Sequence, residues 1–112
     1  MTIFEKIAAR EIPAMIVFED DDLIAFHDID PKAPVHIVIT TKRPIPTLND
    51  LSNTDGELMG KMILAAKKIA ETEKIDKSGY RVVFNCNKDG GQSVYHIHCH
   101  VLGGRSLSWP PG

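Results

Sequence analysis

HIHCHVL, residues 96–102, is the stretch that decides how this chain folds. Its histidines alternate with apolar or thiol side chains, and successive side chains of a β-strand point to opposite faces of the sheet. The alternation predicts a strand from Tyr95 to Leu102, with all three imidazoles on one face and core residues on the other. Three histidines in register indicate a functional face, because a purely structural role is the rarer explanation for such a cluster.

Two helices are predicted upstream of this strand. Thr2 and Glu5 have the spacing of a capping box at the start of a short helix, residues 2–10. A longer helix, residues 54–74, repeats its apolar residues every three or four positions, which is the period of one buried helix face. That face is predicted to consist of Leu58, Met59, Met62, Ile63, Ala66, Ile69 and Ala70.

Four more strands are predicted from runs of β-branched and aromatic residues bounded by glycine, proline and aspartate turns. Together with the histidine strand they surround one long helix, which is the pattern of an α+β fold with an antiparallel sheet. A chain of 112 residues has the size of one domain, so the span 1–112 is assigned to a single domain. The four strands cover residues 15–19, 23–27, 36–40 and 80–86.

Composition excludes several classes of function. The formal net charge is −2, so the chain has no overall basic field for nucleic acid or for an anionic membrane surface. Residues 1–10 lack the apolar core of a secretory signal, and no apolar run approaches the length of a membrane span. Cys86 and Cys99 are expected to be reduced thiols rather than a disulfide framework. These features predict a cytoplasmic protein, with a nuclear pool as well if the cell is eukaryotic.

The histidine face has two candidate chemistries. A metal site is disfavoured, since alternate strand residues lie about 6.6 Å apart and zinc–nitrogen bonds are only about 2.0–2.1 Å long. A regular strand does not let all three rings share one ion, and the sequence therefore predicts neither a metal nor a cofactor. The other chemistry is nucleophilic catalysis by a neutral imidazole, with His98 flanked by a histidine on each side.

A glycine-rich loop before the histidines indicates a phosphate substrate. Gly90 and Gly91 allow backbone N–H groups to approach an anion closely, and Gln92 and Ser93 follow with polar side chains. Such a loop alone is weak evidence for a phosphate site, because most glycine-rich loops are simple turns. Its position immediately before a histidine strand strengthens it, and the resulting hypothesis is attack by a ring nitrogen on phosphorus.

The sequence resembles the histidine triad superfamily, and within it the Hint branch. Residues 96–102 match the triad pattern of histidines alternating with apolar residues, with Cys99 as a soft match. The lead-in GGQSVY at 90–95 and the ending WPPG at 109–112 are also similar, whereas residues 86–89 are less typical. The resemblance implies a homodimer of α+β subunits, each with a five-stranded antiparallel sheet, one long helix and one short helix.

The same resemblance implies an activity. Hint proteins hydrolyse purine nucleoside 5′-monophosphoramidates of AMP or GMP, and can act on aminoacyl-adenylates. By position, His98 would be the nucleophile that forms a nucleotidyl-histidine, while His100 and Ser93 would hold the phosphate oxygens. His96 would orient the active ring, and His36 would extend the hydrogen-bond relay.

The remaining site residues implied by the resemblance are grouped by the part of the substrate that they would meet. They are Asn85, Gly91 and Gln92 for the phosphate, Asp28 and the Ile29 backbone for the ribose, Ile3, Phe4 and Phe26 for the purine, and Trp109 for the leaving group.

Other functions share these residues and stay open at this point. One is a nucleotide-binding or scaffold module whose hydrolysis is incidental. A second is a dinucleoside polyphosphate hydrolase, which the WPPG type of ending disfavours. A zinc-binding interaction domain is a third, and the strand-spacing argument disfavours it.

Overall fold

Two helices and five strands make up the fold. The computed structural model describes residues 1–112. The short helix α1, Ile3–Ala8, begins after Thr2, whose side chain accepts a hydrogen bond from the backbone N–H of Glu5, as the capping-box spacing predicts. The other elements are β1 Ile16–Glu19, β2 Leu23–His27, β3 Val35–Thr41, α2 Gly56–Thr72, β4 Tyr80–Phe84 and β5 His98–Gly103, with 3-10 turns at Leu48–Asp50 and Asn53–Asp55.

The five strands form one antiparallel sheet in the order β1-β2-β3-β5-β4. The histidine strand β5 therefore lies between two partners, and His100 pairs with Val38 of β3 on one side and with Val83 of β4 on the other. The predicted α+β class is confirmed, with its five-stranded antiparallel sheet, one long helix and one short helix.

The two faces of the sheet carry different cores. The long helix α2 packs on one face, where Met62 and Val101 belong to the larger buried cluster. The short helix α1 lies on the other face, where Phe4 and Phe26 belong to a smaller buried cluster. Side chains alternate along a strand, so β5 sends its odd-numbered residues into the α2 core and its even-numbered histidines to the α1 face.

Two strand bounds differ from the sequence prediction by more than one residue. β5 begins at His98 rather than at Tyr95, because its partner β3 ends here and the last ladder pair joins Thr40 to His98. His96 consequently lies just outside the strand, so the prediction of one strand carrying all three histidines is wrong for this residue. Its ring still packs against Phe4 of α1, as the ring of His98 does. β4 likewise ends at Phe84, two residues earlier than predicted.

The buried face of α2 is narrower than the sequence pattern predicts. Met62 and Ala66 are buried as expected, but Ile63 is 50% exposed. Successive helical residues are separated by about 100°, which places Ile63 at the edge of the buried arc, whereas Ala65, which the pattern did not include, lies within it. Neither helix is long and apolar enough to cross a membrane.

Replacing Met62 with alanine is expected to lower the free energy of unfolding by about 2–5 kcal/mol, because a fully buried side chain is removed and leaves a cavity. Urea denaturation followed by circular dichroism measures the change. Ile63→Ala on the same helix is the matched control, and it should cost clearly less because that side chain is half exposed. Equal losses at both positions would contradict the assigned face.

Candidate active site

His98 stands at the first position of β5, and its ring is enclosed by two other rings. Phe4 of α1 meets it edge-on at a centroid distance of 4.8 Å, and His100 meets it at 5.1 Å. Burial is the main cause that lowers the pKa of His98 below the usual histidine value. The ring is therefore neutral at pH 7.

One nitrogen of His98 is left free for chemistry. Its Nδ1 lies 2.7 Å from the backbone carbonyl oxygen of His96. A carbonyl only accepts hydrogen bonds, so Nδ1 carries the proton and donates it. The lone pair is then on Nε2, and a neutral imidazole with a free Nε2 is a nucleophile.

A chain of hydrogen bonds fixes the proton of His100 as well. The backbone N–H of Lys32 donates to Nδ1 of His36 over 3.0 Å, so His36 carries its proton on Nε2. That Nε2 lies 2.8 Å from Nδ1 of His100 and donates to it, which leaves the His100 proton on Nε2. Burial, with His98 and His36 nearby, lowers the pKa of His100 to about 4. His100 is therefore a neutral donor, and the relay that begins at His36 ends on His100.

The ring of His96 is buried and held from both sides. Its Nε2 lies 2.6 Å from the carbonyl oxygen of Thr41 and donates to it, and its Nδ1 accepts from the Thr2 hydroxyl over 2.8 Å. The ring of Phe4 also packs edge-on against it. His96 thus reaches His98 through its backbone carbonyl, while its ring anchors the segment. Sequence reasoning missed this use of Thr2 and Thr41, because the capping box accounted for Thr2 and nothing singled out Thr41.

An apolar cavity of about 210 Å³ opens beside His98 and His100. Ser93 lies at its edge, and Asp28 and its neighbour Ile29 form another part of the wall. The structure therefore brings together most of the residues that the sequence implied. The apolar cavity is lined by Ile3, Phe4, Ile7, Ile12, Pro13, Ala14, Phe26, His27, Asp28, Ile29, Val38, Ser93, Val94, His98 and His100.

The glycine-rich loop is held together by close backbone packing and by hydrogen bonds of the Gln92 side chain. Gly90 packs so closely that a Cβ there would lie 2.4 Å from the Cys86 carbonyl oxygen, and Gly91 has a φ of +82°. The Gln92 side chain accepts from the Asn87 N–H and donates to the carbonyl of Pro46. The Gln92 amide therefore closes the loop, and its side chain is turned away from the apolar cavity.

A second cavity, of about 580 Å³, lies on the other side of His100. Asn85, just past the end of β4, lines this cavity together with His36 and His100 rather than the apolar one. Three cationic side chains also reach it, those of Lys32, Arg81 and Arg105, and the sequence prediction included none of them. We refer to it as the basic cavity.

Trp109 does not itself line either cavity. Its side chain is 81% exposed, whereas its neighbours Ser108, Pro111 and Gly112 line the basic cavity. The C-terminal tail thus approaches the site, as the resemblance implied, but through other residues.

The site combines a histidine-bearing strand, a glycine-rich loop and a short helix over one face of the sheet. The sequence also matches the model of a known protein family. The profile described as "HIT domain" matches residues 9–107. The chain belongs to the HIT family.

Relatives of this HIT protein are similar over nearly its whole length. A protein of Escherichia coli K12 named purine nucleoside phosphoramidase is 55% identical over 106 residues, which is 95% of this chain and 89% of the relative. An uncharacterized HIT-like protein of Synechococcus elongatus is 52% identical over 111 residues, covering 99% and 96%. A crystal structure of a HIT family hydrolase from Legionella pneumophila is 52% identical, with a TM-score of 0.98 and full coverage of both chains.

One group of side chains in this HIT protein has the composition of a metal site. Asp28, His36 and His100 each place one ligating atom within 4.8 Å of the others. The facing nitrogens of His36 and His100 already share a hydrogen bond, and Asp28 Oδ2 lies 3.4 Å from His36 Nε2. An ion would have to break that hydrogen bond, so these contacts favour the relay over a metal centre.

The lowered histidine pKa values predict an acid-sensitive fold. Unfolded histidine titrates near about 6.5, so the unfolded chain binds more protons than the folded HIT protein as the pH falls below that value. The stability should be fully present above about pH 6.5 and fall toward about pH 4, the pKa of folded His100. Urea midpoints measured between pH 7.5 and pH 4.5 test this, and a His100→Gln variant should show a shallower slope. An equal slope in the variant would contradict the assignment.

Proposed function

We propose that this HIT protein is a purine nucleoside phosphoramidase, a hydrolase that breaks the P–N bond of nucleoside 5′-monophosphoramidates. One observation carries the proposal: a neutral histidine with a free Nε2, His98, stands at an apolar cavity beside a neutral histidine donor, His100. The E. coli relative's name supports the same reaction class.

The first step is attack on phosphorus. The lone pair on Nε2 of His98 forms a new N–P bond while the P–N bond to the amine breaks. The amine nitrogen keeps the electron pair of that bond, takes up a proton from solvent and departs. The nucleotidylated ring is cationic, and its Nδ1–H stays on the His96 carbonyl, which stabilises that charge.

The second step is hydrolysis. Water attacks phosphorus, its oxygen forms the new P–O bond, and the proton that it loses goes to solvent. The electrons of the broken N–P bond return to Nε2 of His98, so the ring regains its starting state. The product is the nucleoside 5′-monophosphate, and the sequence of steps splits one displacement into two.

The phosphate would be held by neutral donors. His100 and Ser93 line the apolar cavity with His98, and the Nε2–H of His100 and the Ser93 hydroxyl would donate to the non-bridging oxygens. The N–H groups of Gly91 and Gln92 already donate to the carbonyls of Lys88 and Asn87, so these two residues would shape the loop that carries Ser93. Asn85 lines the basic cavity on the other side of His100. Donors aimed at the phosphate oxygens stabilise the charge that develops in the transition state.

The nucleoside would fill the apolar cavity. Ile3, Phe4 and Phe26 supply apolar walls for a purine ring. The Asp28 carboxylate would accept hydrogen bonds from the ribose hydroxyls beside the Ile29 backbone. Asp28 Oδ1 already accepts from the N–H of Asp30 over 2.8 Å, which orients the carboxylate.

The proposal includes a homodimer in the cytoplasm that needs no metal or cofactor. Strand β4 is an edge of the sheet, and an unpaired edge is a template for pairing with a second chain. The thiols of Cys86 and Cys99 are free, which suits a reducing compartment. Trp109 lies on the exposed tail and lines neither cavity, so it would meet only a leaving group that extends out of the site. Sedimentation velocity at micromolar concentration tests the dimer.

The decisive experiment is steady-state hydrolysis of a fluorogenic adenosine 5′-phosphoramidate in the presence of EDTA. Turnover under these conditions supports the proposal and a metal-free mechanism, whereas turnover that EDTA abolishes contradicts the latter. A folded chain that binds AMP without turnover would instead indicate a nucleotide-binding or scaffold module. Faster cleavage of a diadenosine polyphosphate than of the phosphoramidate would indicate a dinucleoside polyphosphate hydrolase. Aminoacyl-adenylate and guanosine substrates measured in parallel define the range.

A further inference from the structure

The basic cavity carries two arginines that no acidic side chain neutralises. Arg81 and Arg105 line it with Lys32, whose Nζ pairs with Asp30 Oδ2 at 2.6 Å, and no aspartate or glutamate lines it. The chain as a whole has a formal charge of −2, so this concentration of positive charge is local.

The two arginines have only carbonyl oxygens as partners. Arg81 donates to the carbonyl of Ser108 over 2.9 Å, and Arg105 donates to the carbonyl of Lys32 over 2.8 Å. Neither guanidinium is in an ion pair, whereas Arg10 and Arg43 elsewhere in the chain both have a carboxylate partner. Guanidinium groups carry five N–H donors each, so both retain donors for a ligand.

The basic cavity lies next to the reacting histidines, on the side of His100 away from the apolar cavity. His100 lines both cavities, whereas His98 lines only the apolar one. Displacement at phosphorus places the attacking atom and the departing atom on opposite sides. A phosphate held beside His100 and attacked by His98 would therefore direct its nucleoside into the apolar cavity and its amine toward the basic one.

We infer that the basic cavity is a subsite for the departing amine and that it selects amines carrying a carboxylate, such as amino acids linked to phosphorus through their amino group. The inference rests on the proposed P–N hydrolase function. A planar guanidinium matches a carboxylate with two parallel hydrogen bonds, and the guanidinium groups of Arg81 and Arg105 both belong to residues that line this cavity.

Two substrates that differ only in this charge provide the test. They are the adenosine 5′-phosphoramidates of glycine and of its neutral analogue glycinamide, with AMP release as the readout. The ratio of their kcat/KM values is expected to be about tenfold in favour of glycine, the factor that one charge-assisted hydrogen bond gives. Higher ionic strength should reduce the ratio, because salt screens exposed charges.

Variants assign the ratio to the cavity. Arg105→Gln should bring the ratio close to one, and Arg105→Lys should keep part of it because the charge is preserved. Lys68→Gln is the matched control: it changes the net charge by the same amount on the exposed side of α2, and its ratio should equal that of the parent chain.

The outcomes separate the subsite from the function. Equal hydrolysis of both substrates by the parent chain would overturn the subsite and leave the phosphoramidase proposal standing. Failure to hydrolyse either one would overturn the proposed function and the subsite with it. A third substrate, the phosphoramidate of O-phosphoethanolamine, distinguishes the anion, and a marked preference for it over glycine would overturn the assignment to a carboxylate.

Discussion

Replacing His98 with alanine is expected to lower kcat for phosphoramidate hydrolysis by about four orders of magnitude or more, which is the range for loss of a covalent nucleophile. The reason is chemical. Nε2 is the ring nitrogen of His98 that has no hydrogen bond, and it carries the lone pair. His98 lines the apolar cavity beside the donor His100. Without this lone pair the reaction must proceed by direct attack of water.

Binding and folding separate this effect from general damage. His98→Asn, which keeps a polar side chain of similar length, should lose turnover while calorimetry still detects AMP and the thermal midpoint stays close to that of the parent. A rapid-quench experiment on the parent chain should trap a nucleotidylated protein that neither variant forms. Near-normal turnover by a variant at this position would exclude His98 as the nucleophile.

Replacing His100 with alanine is expected to have the second-largest effect, a loss of about 10²–10³ in kcat, as for removal of one donor to transition-state charge. The substitution removes the Nε2–H that would donate to the phosphate in the proposed complex, and it leaves the Nε2–H of His36 without its acceptor. His98 keeps its own hydrogen bond to the His96 carbonyl, so the nucleophile stays oriented. Single-turnover kinetics would show a slower nucleotidylation step.

A graded series distinguishes donation from packing. His36→Ala leaves the His100 ring in place but removes the bond that holds its proton on Nε2. It should cost less than His100→Ala and should change the pH profile of kcat. A larger loss at His36 than at His100 would contradict the assigned direction of the relay.

The sequence predicted the strands and the cluster of histidines well, because both depend on local alternation of side chains. Leu23–His27 has the predicted bounds, and His98 and His100 lie on one strand face as expected. The position of His96 could not be predicted in this way, because it depends on where the partner strand β3 ends. The period of a sequence does not contain that information.

Interactions between distant residues were the other part that the sequence did not predict. The hydrogen bond between Thr2 and His96 joins residues 94 positions apart, and the bond between His36 and His100 joins residues 64 positions apart. The family resemblance named the histidines but implied that the hydrogen-bond relay from His36 supports the nucleophile His98. In the structure the hydrogen bond of His36 goes to His100. Arg81 and Arg105 line one cavity because β4 pairs with β5 with Tyr80 opposite Gly103, and neither position was singled out beforehand because the sequence does not show that pairing.

Residues near both ends of the sequence contact the candidate active site, and this affects where a tag or label can be attached. Thr2 bonds directly to His96, and Gly112 lines the basic cavity. A purification tag at either end would therefore sit beside the reacting groups. Lys77, exposed in the turn between α2 and β4, gives a remote attachment point for a dye or a surface linker.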